Sequence, residues 1–246
     1  MTINLTGISR QSLIGRILRL PLRLIPRHMR VRILQGPMRG MRWIAGASVH
    51  GCWLGSFEFD KQVLFQQYVR PGASVLDIGA NVGFYTLLSA KLTGPSGAVV
   101  AFEPLPRNLE YLRAHVKLNS INHARILDAA VSDKPGEATF STHQDPSQAK
   151  LSNEGDIKVR VVTLDQLFAA GDIPVPNLIK IDVEGAEGLV LRGAAQLLAK
   201  HKPVIFLATH GAEVHKDCCD QLLALGYKLK ALDGQPLASS SEVLAE

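Results

Sequence analysis

The spacing of hydrophobic residues divides the chain into two parts. Over residues 13–25, leucines and isoleucines recur at roughly helical spacing with arginines between them, and Pro21 and Pro26 should break this stretch into short helical pieces. From Gly72 onward, short runs of β-branched residues alternate with longer helical patterns. Such alternation predicts a parallel, doubly wound α/β sheet with helices on both faces.

Predicted strands and helices alternate through this second part. The strands cover residues 74–77, 98–103, 125–131, 178–182, 204–209 and 227–232. The helices cover residues 82–92, 106–119, 164–170, 187–198 and 213–225. Two more strand candidates, residues 137–142 and 158–162, flank a polar loop at residues 143–156.

Charge is distributed unevenly along the chain. The formal net charge is +5, yet no acidic residue precedes Glu58, whereas nine arginines do. The remaining 18 of the 27 basic residues and all 22 acidic residues belong to the rest of the chain, which therefore carries a net charge of −4. We therefore expect a basic amphipathic arm over residues 1–50, one domain over residues 51–237 and a loose tail over residues 238–246.

The basic arm has two main interpretations. It can lie on an anionic membrane surface, with its leucines below the headgroups, or it can form a helical cover that packs its leucines on the main domain. A transit peptide is a third interpretation. No apolar run reaches the roughly 18 residues that a membrane span needs. The sequence therefore predicts a cytoplasmic protein, with peripheral contact at the inner membrane surface as an open alternative.

The cysteines agree with a reducing compartment. Cys52, Cys218 and Cys219 are odd in number and two are adjacent, which indicates neither a disulfide framework nor a zinc site. Cys218 and Cys219 fall in a predicted helix with leucines, so we expect them to pack in the core.

A glycine-containing loop follows the first predicted strand of the sheet. It has the pattern D-x-G-x-N-x-G over residues 77–83, which is neither the G-x-G-x-x-G of a dinucleotide site nor a P-loop, since Phe84 follows Gly83. Gly79 and Gly83 let the backbone turn tightly and approach a ligand. The carboxylate of Asp77 would repel a pyrophosphate but suits a cationic ligand with an ammonium group and a sulfonium.

Acidic residues also end the next two strands. Glu103, before Pro104, is placed to accept hydrogen bonds from two ribose hydroxyls, and Asp128, before Ala129, can meet an adenine amino group. Each acidic residue alone is more often a solvated strand end. Together at neighbouring strand ends, they favour a nucleoside site at this edge of the sheet.

These motifs resemble the FkbM-type family of S-adenosylmethionine-dependent methyltransferases. The resemblance covers roughly residues 51–234 and is most specific over residues 179–187, I-K-I-D-V-E-G-A-E. It implies a class I methyltransferase fold, Rossmann-like and mostly parallel, whose final strand is antiparallel, with S-adenosylmethionine as the cofactor. The predicted cofactor-binding residues are Asp77, Gly79, Asn81, Gly83, Tyr85, Thr86, Glu103, Pro104, Asp128, Ala129 and Asp182.

Three residues at strand ends are candidates for the chemical step. Asp182 and Glu184 follow the fourth strand, and His210 follows the fifth. A hydroxyl acceptor must lose a proton as it attacks, and the ordinary pKa of histidine suits that task, so we favour His210 over Asp182 as base. Asp182 can instead orient the cofactor, and Glu184 or Glu187 can cap the next helix. The three candidates could also hold Mg²⁺, but nothing in their spacing demands a metal, so a metal-free base is preferred.

The acceptor is constrained mainly by the resemblance. The acidic turn at residues 182–185 lacks the [DNS]-P-P-[YF] motif that grips a flipped base, and a domain of net charge −4 repels phosphate, so nucleic acid is disfavoured. The resemblance implies O-methylation of a sugar, a glycolipid or a secondary metabolite. N-methylation of a peptide or small molecule, a non-catalytic cofactor-binding protein at a membrane surface and an oxidoreductase on the same sheet are the alternatives. The sequence does not indicate an oligomeric state.

Overall fold

The computed structural model describes residues 21–140 and 157–246. The helical pattern before residue 21, the end of the strand candidate at 137–142 and the polar loop lie outside the described residues. The helices are α1 Gly51–Leu54, α2 Phe59–Tyr68, α3 Phe84–Thr93, α4 Pro106–Leu118, α5 Leu164–Ala169, α6 Glu187–Arg192, α7 Ala195–His201 and α8 Ala212–Ala224. The strands are β1 Arg30–Arg32, β2 Arg42–Ile44, β3 Ser74–Ile78, β4 Ala98–Phe102, β5 Ala124–Leu127, β6 Ala130–Val131, β7 Gly136–Phe140, β8 Ile157–Val162, β9 Leu178–Ile181, β10 Val204–Ala208, β11 Leu229–Ala231 and β12 Glu242–Ala245.

Seven strands form the main sheet, in the order β11-β12-β10-β9-β3-β4-β5. All pairings are parallel except those of β12, which is antiparallel to both of its neighbours. This confirms the predicted doubly wound sheet with an antiparallel final strand. Every residue of β3 and β9 is buried, since helices cover both faces of the sheet. The strand order reverses between these two strands, which opens a crevice at their carboxyl ends.

The predicted strand at residues 125–131 is wrong, because the structure divides it between two sheets. Strand β5 lies at the edge of the main sheet, whereas β6 pairs with β8 in a three-stranded sheet that also contains β7. The Ala129 N–H donates a hydrogen bond to the Leu127 carbonyl over 2.9 Å, and this tight turn redirects the chain. The turn lies beside the crevice, so it helps to shape the pocket described below.

Two other predicted boundaries are corrected. The helix predicted at residues 187–198 is divided into α6 and α7, and Gly193 between them packs so closely on the Ser132 carbonyl that a Cβ would overlap it. The tail predicted to be loose contains β12, which lies between β10 and β11. Val243 and Ala245 are fully buried there. Burial of a three-residue apolar run in the sheet outweighs the polarity of the residues before it.

In the described part of the arm, Pro21–Leu24 form a 3-10 helix whose Leu22 packs against the domain, as the helical-cover interpretation expects, and a β-hairpin of β1 and β2 follows it. Val31 of β1 lies opposite Trp43 of β2, and Trp43 is fully buried. Its ring stacks on His115 of α4 with 3.9 Å between ring centroids, and the His115 Nε2 accepts the Ile44 N–H over 3.0 Å. Apolar residues of the hairpin and of α3 belong to one hydrophobic cluster, so the hairpin packs directly on the rest of the domain.

Two smaller expectations concern the cysteines and the membrane. All three cysteines are free and buried, which agrees with core packing. Among the described helices, none combines the length and hydrophobicity that a bilayer crossing requires.

Candidate active site

A pocket occupies the crevice beyond the carboxyl ends of β9, β3 and β4. Its wall combines the loop after β3, the ends of three strands and residues that precede the sheet. The residues that line it are 48, 52, 57–58, 79–82, 84–85, 102–105, 108, 129–131, 180, 182–184 and 186. Seven of the eleven residues that the sequence predicted as cofactor-binding therefore line one pocket, at the switch point where open α/β sheets bind ligands.

The loop over residues 79–83, called the cofactor loop below, is fixed by close packing. Gly79 has φ +76°, and a Cβ there would overlap the Asp182 carbonyl. Gly83 has φ +93°, and a Cβ there would overlap Leu112 of α4. The N–H groups of Gly79 and of the next residue both donate to the Phe102 carbonyl, over 3.0 and 2.9 Å. Glycine is thus required at both positions by conformation and by space.

Glu103 holds the cofactor loop from the end of β4. Its Oε2 accepts the Asn81 N–H over 2.8 Å, and its Oε1 accepts the Leu105 N–H over 3.0 Å and the Asn108 side-chain amide over 3.1 Å. Burial raises the pKa of Glu103, and these donors oppose that rise. Because a carboxylate has about four acceptor positions and three are used, one position on Glu103 remains for a ribose hydroxyl. Asn108 was not predicted from the sequence.

Asp77 lies behind the cofactor loop and not on the pocket wall. It is fully buried and accepts a hydrogen bond from the Thr86 hydroxyl over 2.6 Å. Burial raises the pKa of Asp77, an effect that Lys180 and Thr86 oppose. Direct contact of Asp77 or Thr86 with a cofactor therefore stays a prediction, while the structure gives both residues a supporting place beneath the loop.

Lys180 connects the loop to the acidic groups and was not predicted as a site residue. Its ammonium donates to the Gly79 carbonyl over 3.1 Å and lies 3.6 Å from Asp77 and 3.5 Å from Asp182. Burial alone would lower the pKa of Lys180, but the carboxylates of Asp182 and Asp77 outweigh it and the pKa is raised. The signal was visible as a single charge within an otherwise apolar strand, L-I-K-I.

A second network closes the pocket on the side of α2. The Tyr85 hydroxyl donates to Glu58 over 2.7 Å, and Lys61 bridges Glu58 at 2.8 Å and Glu242 at 2.6 Å. Burial is the main cause that raises the pKa of Tyr85 well above its ordinary value, and the negative charge of Glu58 adds to this rise. Tyr85 lines the pocket as part of the predicted set, whereas Glu58 was not a candidate.

Three pocket residues other than glycine have left-handed backbone conformations. These are Glu58 at φ 45°, Asn81 at φ 50° and Glu184 at φ 56°. Such conformations cost on the order of 1–3 kcal/mol each and concentrate at functional sites, where the surrounding structure must hold them.

The predicted catalytic residues come together at the edge of the pocket. The His210 Nε2 lies 3.5 Å from a Glu184 oxygen and 3.8 Å from an Asp182 oxygen, and its Nδ1 lies 2.8 Å from Glu187. The hydrogen bond with Glu187 raises the pKa of His210 against the effect of burial, and Glu184 contributes further. One ligand atom from each of Asp182, Glu184 and His210 lies within 4.8 Å of the others, so this cluster could also hold a divalent cation.

Besides Asp77 and Thr86, two more predicted cofactor-binding residues, Asp128 and Gly83, lie apart from the pocket wall. The Asp128 side chain is half exposed and pairs with Arg113 of α4, although the adjacent Ala129 is buried and lines the pocket. Gly83 packs against α4, as described above. Pro104, Asn81 and Asp182 line the pocket as the sequence predicts. An adenine contact of Asp128 stays a prediction that this rotamer does not favour.

The fold and pocket define a class I methyltransferase domain. A solved structure with this fold, methyltransferase FkbM from Methylobacillus flagellatus KT, aligns with 80% of this chain and 53% of its own at a TM-score of 0.52 and 17% identity. Residues 77–229, more than half of the chain, match the methyltransferase FkbM domain family. The chain belongs to this family, which confirms the predicted resemblance.

Two curated relatives have informative names. Hexuronic acid methyltransferase AglP from Haloferax volcanii is 29% identical over 124 residues, which cover 50% of each chain. The 31-O-demethyl-FK506 methyltransferase FkbM from Streptomyces tacrolimicus is 33% identical over 162 residues, which cover 51% of this chain and 60% of the relative. The match thus spans about half to three fifths of the length of these relatives.

Proposed function

We propose that this protein transfers the methyl group of S-adenosylmethionine to a hydroxyl oxygen of a sugar, a glycolipid or a secondary metabolite. The observation that carries the proposal is the position of the Asp182–Glu184–His210 cluster at the edge of the same pocket that the cofactor loop lines. Both named relatives are methyltransferases, one for a hexuronic acid and one for 31-O-demethyl-FK506, and the second name supports an oxygen acceptor.

The charge of the pocket favours a cationic cofactor. Glu58, Glu103, Asp182 and Glu184 line it together with a single lysine, Lys180. Carboxylates around a crevice attract a sulfonium and repel a diphosphate. Because the crevice is partly buried, solvent screens these charges less than it would on an open surface. This is the reason for preferring S-adenosylmethionine to a dinucleotide. In this arrangement Glu103 accepts a ribose hydroxyl and the cofactor loop carries the amino acid portion.

The chemical step needs alignment and the removal of one proton. S-adenosylmethionine supplies a methyl carbon that is already activated by its sulfonium. The acceptor oxygen forms a bond to that carbon as the carbon–sulfur bond breaks, and the sulfur leaves as a neutral thioether. His210 accepts the acceptor's hydroxyl proton at Nε2, with Asp182 and Glu184 beside it. Alignment is worth roughly 7–11 kcal/mol and a positioned base about 10²–10⁴-fold.

The test is transfer of a radiolabelled methyl group to cell extracts that are fractionated into lipids, polysaccharides, proteins and small molecules. Label in the polysaccharide, lipid or small-molecule fraction, stable as an ether, is the expected result. Label on nitrogen would redirect the proposal to N-methylation. Cofactor binding without transfer to any fraction would contradict it and favour a non-catalytic protein. His210→Ala should keep cofactor affinity and slow transfer, and unchanged turnover would remove His210 from the role of base.

Peripheral membrane contact is proposed for the outward face of the hairpin. Arg30, Arg32 and Arg42 are exposed there, and Arg32 lies directly opposite Arg42. Like charges in opposed positions destabilise a hairpin, so an anionic surface would relieve the repulsion. Leu34 follows Arg30 and Arg32 at the same two-residue spacing, and its side chain is 56% exposed. An exposed leucine suits insertion among lipid headgroups better than contact with the phosphates of a nucleic acid.

Vesicle pelleting of an Arg32→Gln/Arg42→Gln variant tests this contact. Each arginine near an anionic bilayer is worth about 1 kcal/mol, so binding to vesicles of phosphatidylglycerol and phosphatidylcholine should weaken roughly thirtyfold. Substitution is preferable to truncation at residue 42, which would remove β1 and uncover Trp43. The matched variant Arg70→Gln/Lys117→Gln removes two exposed charges elsewhere and should bind normally. Equal pelleting of all forms would contradict the proposal. So would a result in which the Arg32→Gln/Arg42→Gln variant pellets normally with vesicles but loses binding to RNA in a parallel assay.

A further inference from the structure

We propose that Glu187 is a positioning residue that fixes the imidazole of His210 with its Nε2 toward the edge of the pocket. This inference rests on the proposed function, in which His210 accepts the proton. The sequence offered Glu187 only as a helix cap. The structure places it between the turn after β9 and the histidine after β10.

Contacts of Glu187 determine which ring nitrogen of His210 carries hydrogen. Glu187 is fully buried, and its Oε1 lies 2.8 Å from the His210 Nδ1. The same oxygen faces the N–H groups of Gly185 at 3.0 Å and Val183 at 3.3 Å. Burial would raise the pKa of Glu187, but the hydrogen bond with His210 and the backbone N–H groups of Gly185 and of Glu187 itself outweigh it and lower the pKa, so the group is an anion that only accepts. Nδ1 therefore donates, and the lone pair of a neutral His210 lies on Nε2.

The surroundings of Nε2 fit a proton acceptor at the edge of the pocket. Its nearest charged groups are Glu184 at 3.5 Å and Asp182 at 3.8 Å, and both of these residues line the pocket. Both distances exceed those of direct hydrogen bonds. An imidazolium formed at His210 would lie among three carboxylates, those of Asp182, Glu184 and Glu187. The pair has the arrangement in which a buried carboxylate selects the tautomer of a base and stabilises its charged form.

Glu187 also stabilises the turn that carries Glu184, so its removal has two separable consequences. Glu184 and Gly185 have φ values of 56° and 108°, and the Gly185 N–H is among the donors to Glu187. Glu187→Ala would release this turn and the histidine together. Glu187→Gln retains a carbonyl oxygen of the same reach, removes the charge and places an NH₂ group where the second oxygen stood. Glu187→Gln therefore tests the interaction with His210 while the packing of the side chain is kept.

A titration of His210 by NMR in the full-length protein gives a readout that does not need turnover. The hydrogen bond with Glu187 raises the pKa of His210, with Glu184 and Asp182 adding to it. We expect Glu187→Gln to lower the midpoint by about one pH unit, because the closest charge is lost while the other two remain. Glu213→Gln, an exposed carboxylate three residues from His210, is the matched control and should leave the midpoint unchanged.

Kinetics of the same variants complete the test. Glu187→Gln should lower kcat at least tenfold at alkaline pH, move the acid limb of the kcat–pH profile to lower pH, and leave the KM for S-adenosylmethionine within twofold. In a His210→Ala background the substitution should cause no further loss. An unchanged midpoint and profile, with loss of thermal stability alone, would overturn the inference and leave Glu187 as a support of the turn. Absence of methyl transfer in the wild-type protein would refute the proposed function, whereas the titration would still decide whether Glu187 controls His210.

Discussion

Replacing Glu103 with glutamine tests how the pocket holds its cofactor loop. The carboxylate accepts three hydrogen bonds, from the N–H groups of Asn81 and Leu105 and from the Asn108 amide. Glutamine keeps the shape but presents an NH₂ group where one oxygen stood, so at least one donor loses its acceptor. A hydrogen bond to a charged group contributes about 1.5–3 kcal/mol, and 1.4 kcal/mol is tenfold in affinity. S-adenosylmethionine binding should therefore weaken about ten- to hundredfold.

Isothermal titration calorimetry with S-adenosylmethionine and S-adenosylhomocysteine measures this loss. Glu110→Gln on the exposed side of α4 removes one carboxylate without touching the loop, and it should bind like the wild type. Circular dichroism establishes whether Glu103→Gln is folded. A folded Glu103→Gln variant with wild-type affinity for both ligands would refute the reasoning, because the loop would then need no anion beneath it.

Three further predictions address other parts of the structure. Asp77→Asn should weaken cofactor binding at least tenfold by calorimetry, because Lys180 loses a carboxylate beneath the loop; wild-type affinity would make Asp77 dispensable. His115 has its pKa lowered by burial from 6.5 to about 4, so the unfolded chain takes up its proton first as pH falls below 6.5, and folding should lose up to about 3 kcal/mol by pH 4. In denaturant unfolding, His115→Gln should lack this part of the pH dependence, and an identical dependence would show that another group causes it. Transfer activity should survive EDTA within twofold, since the proposed base needs no cation; loss that Mg²⁺ restores would assign the Asp182–Glu184–His210 cluster to a metal.

Much of the fold was predictable because buried parallel strands are apolar runs with acidic residues at their ends. The main-sheet strands β3, β4 and β9 were found in this way, β10 was found as an apolar run that ends before His210, and these strand ends predicted the grouping of Asp182, Glu184 and His210. Strand β12 was missed because its apolar run is three residues long and follows a polar segment. The hairpin was missed because R-V-R and R-W-I are too short to distinguish two-residue from helical spacing.

The features of the site that sequence reasoning missed or misplaced depend on tertiary contacts. Whether Asp128 faces the pocket or Arg113 is decided by the turn between β5 and β6. The role of Glu187 depends on a histidine 23 positions later in the chain. Lys180 was the exception, since one lysine in a fully buried strand requires nearby carboxylates and could have been predicted from that requirement.

Calorimetric titration of the full-length protein with S-adenosylmethionine, NAD and ATP in parallel tests the central claim most directly. A pocket lined by Glu103 and the cofactor loop should bind one S-adenosylmethionine per chain and neither of the diphosphate-containing nucleotides. Binding of NAD or ATP without binding of S-adenosylmethionine would contradict the account.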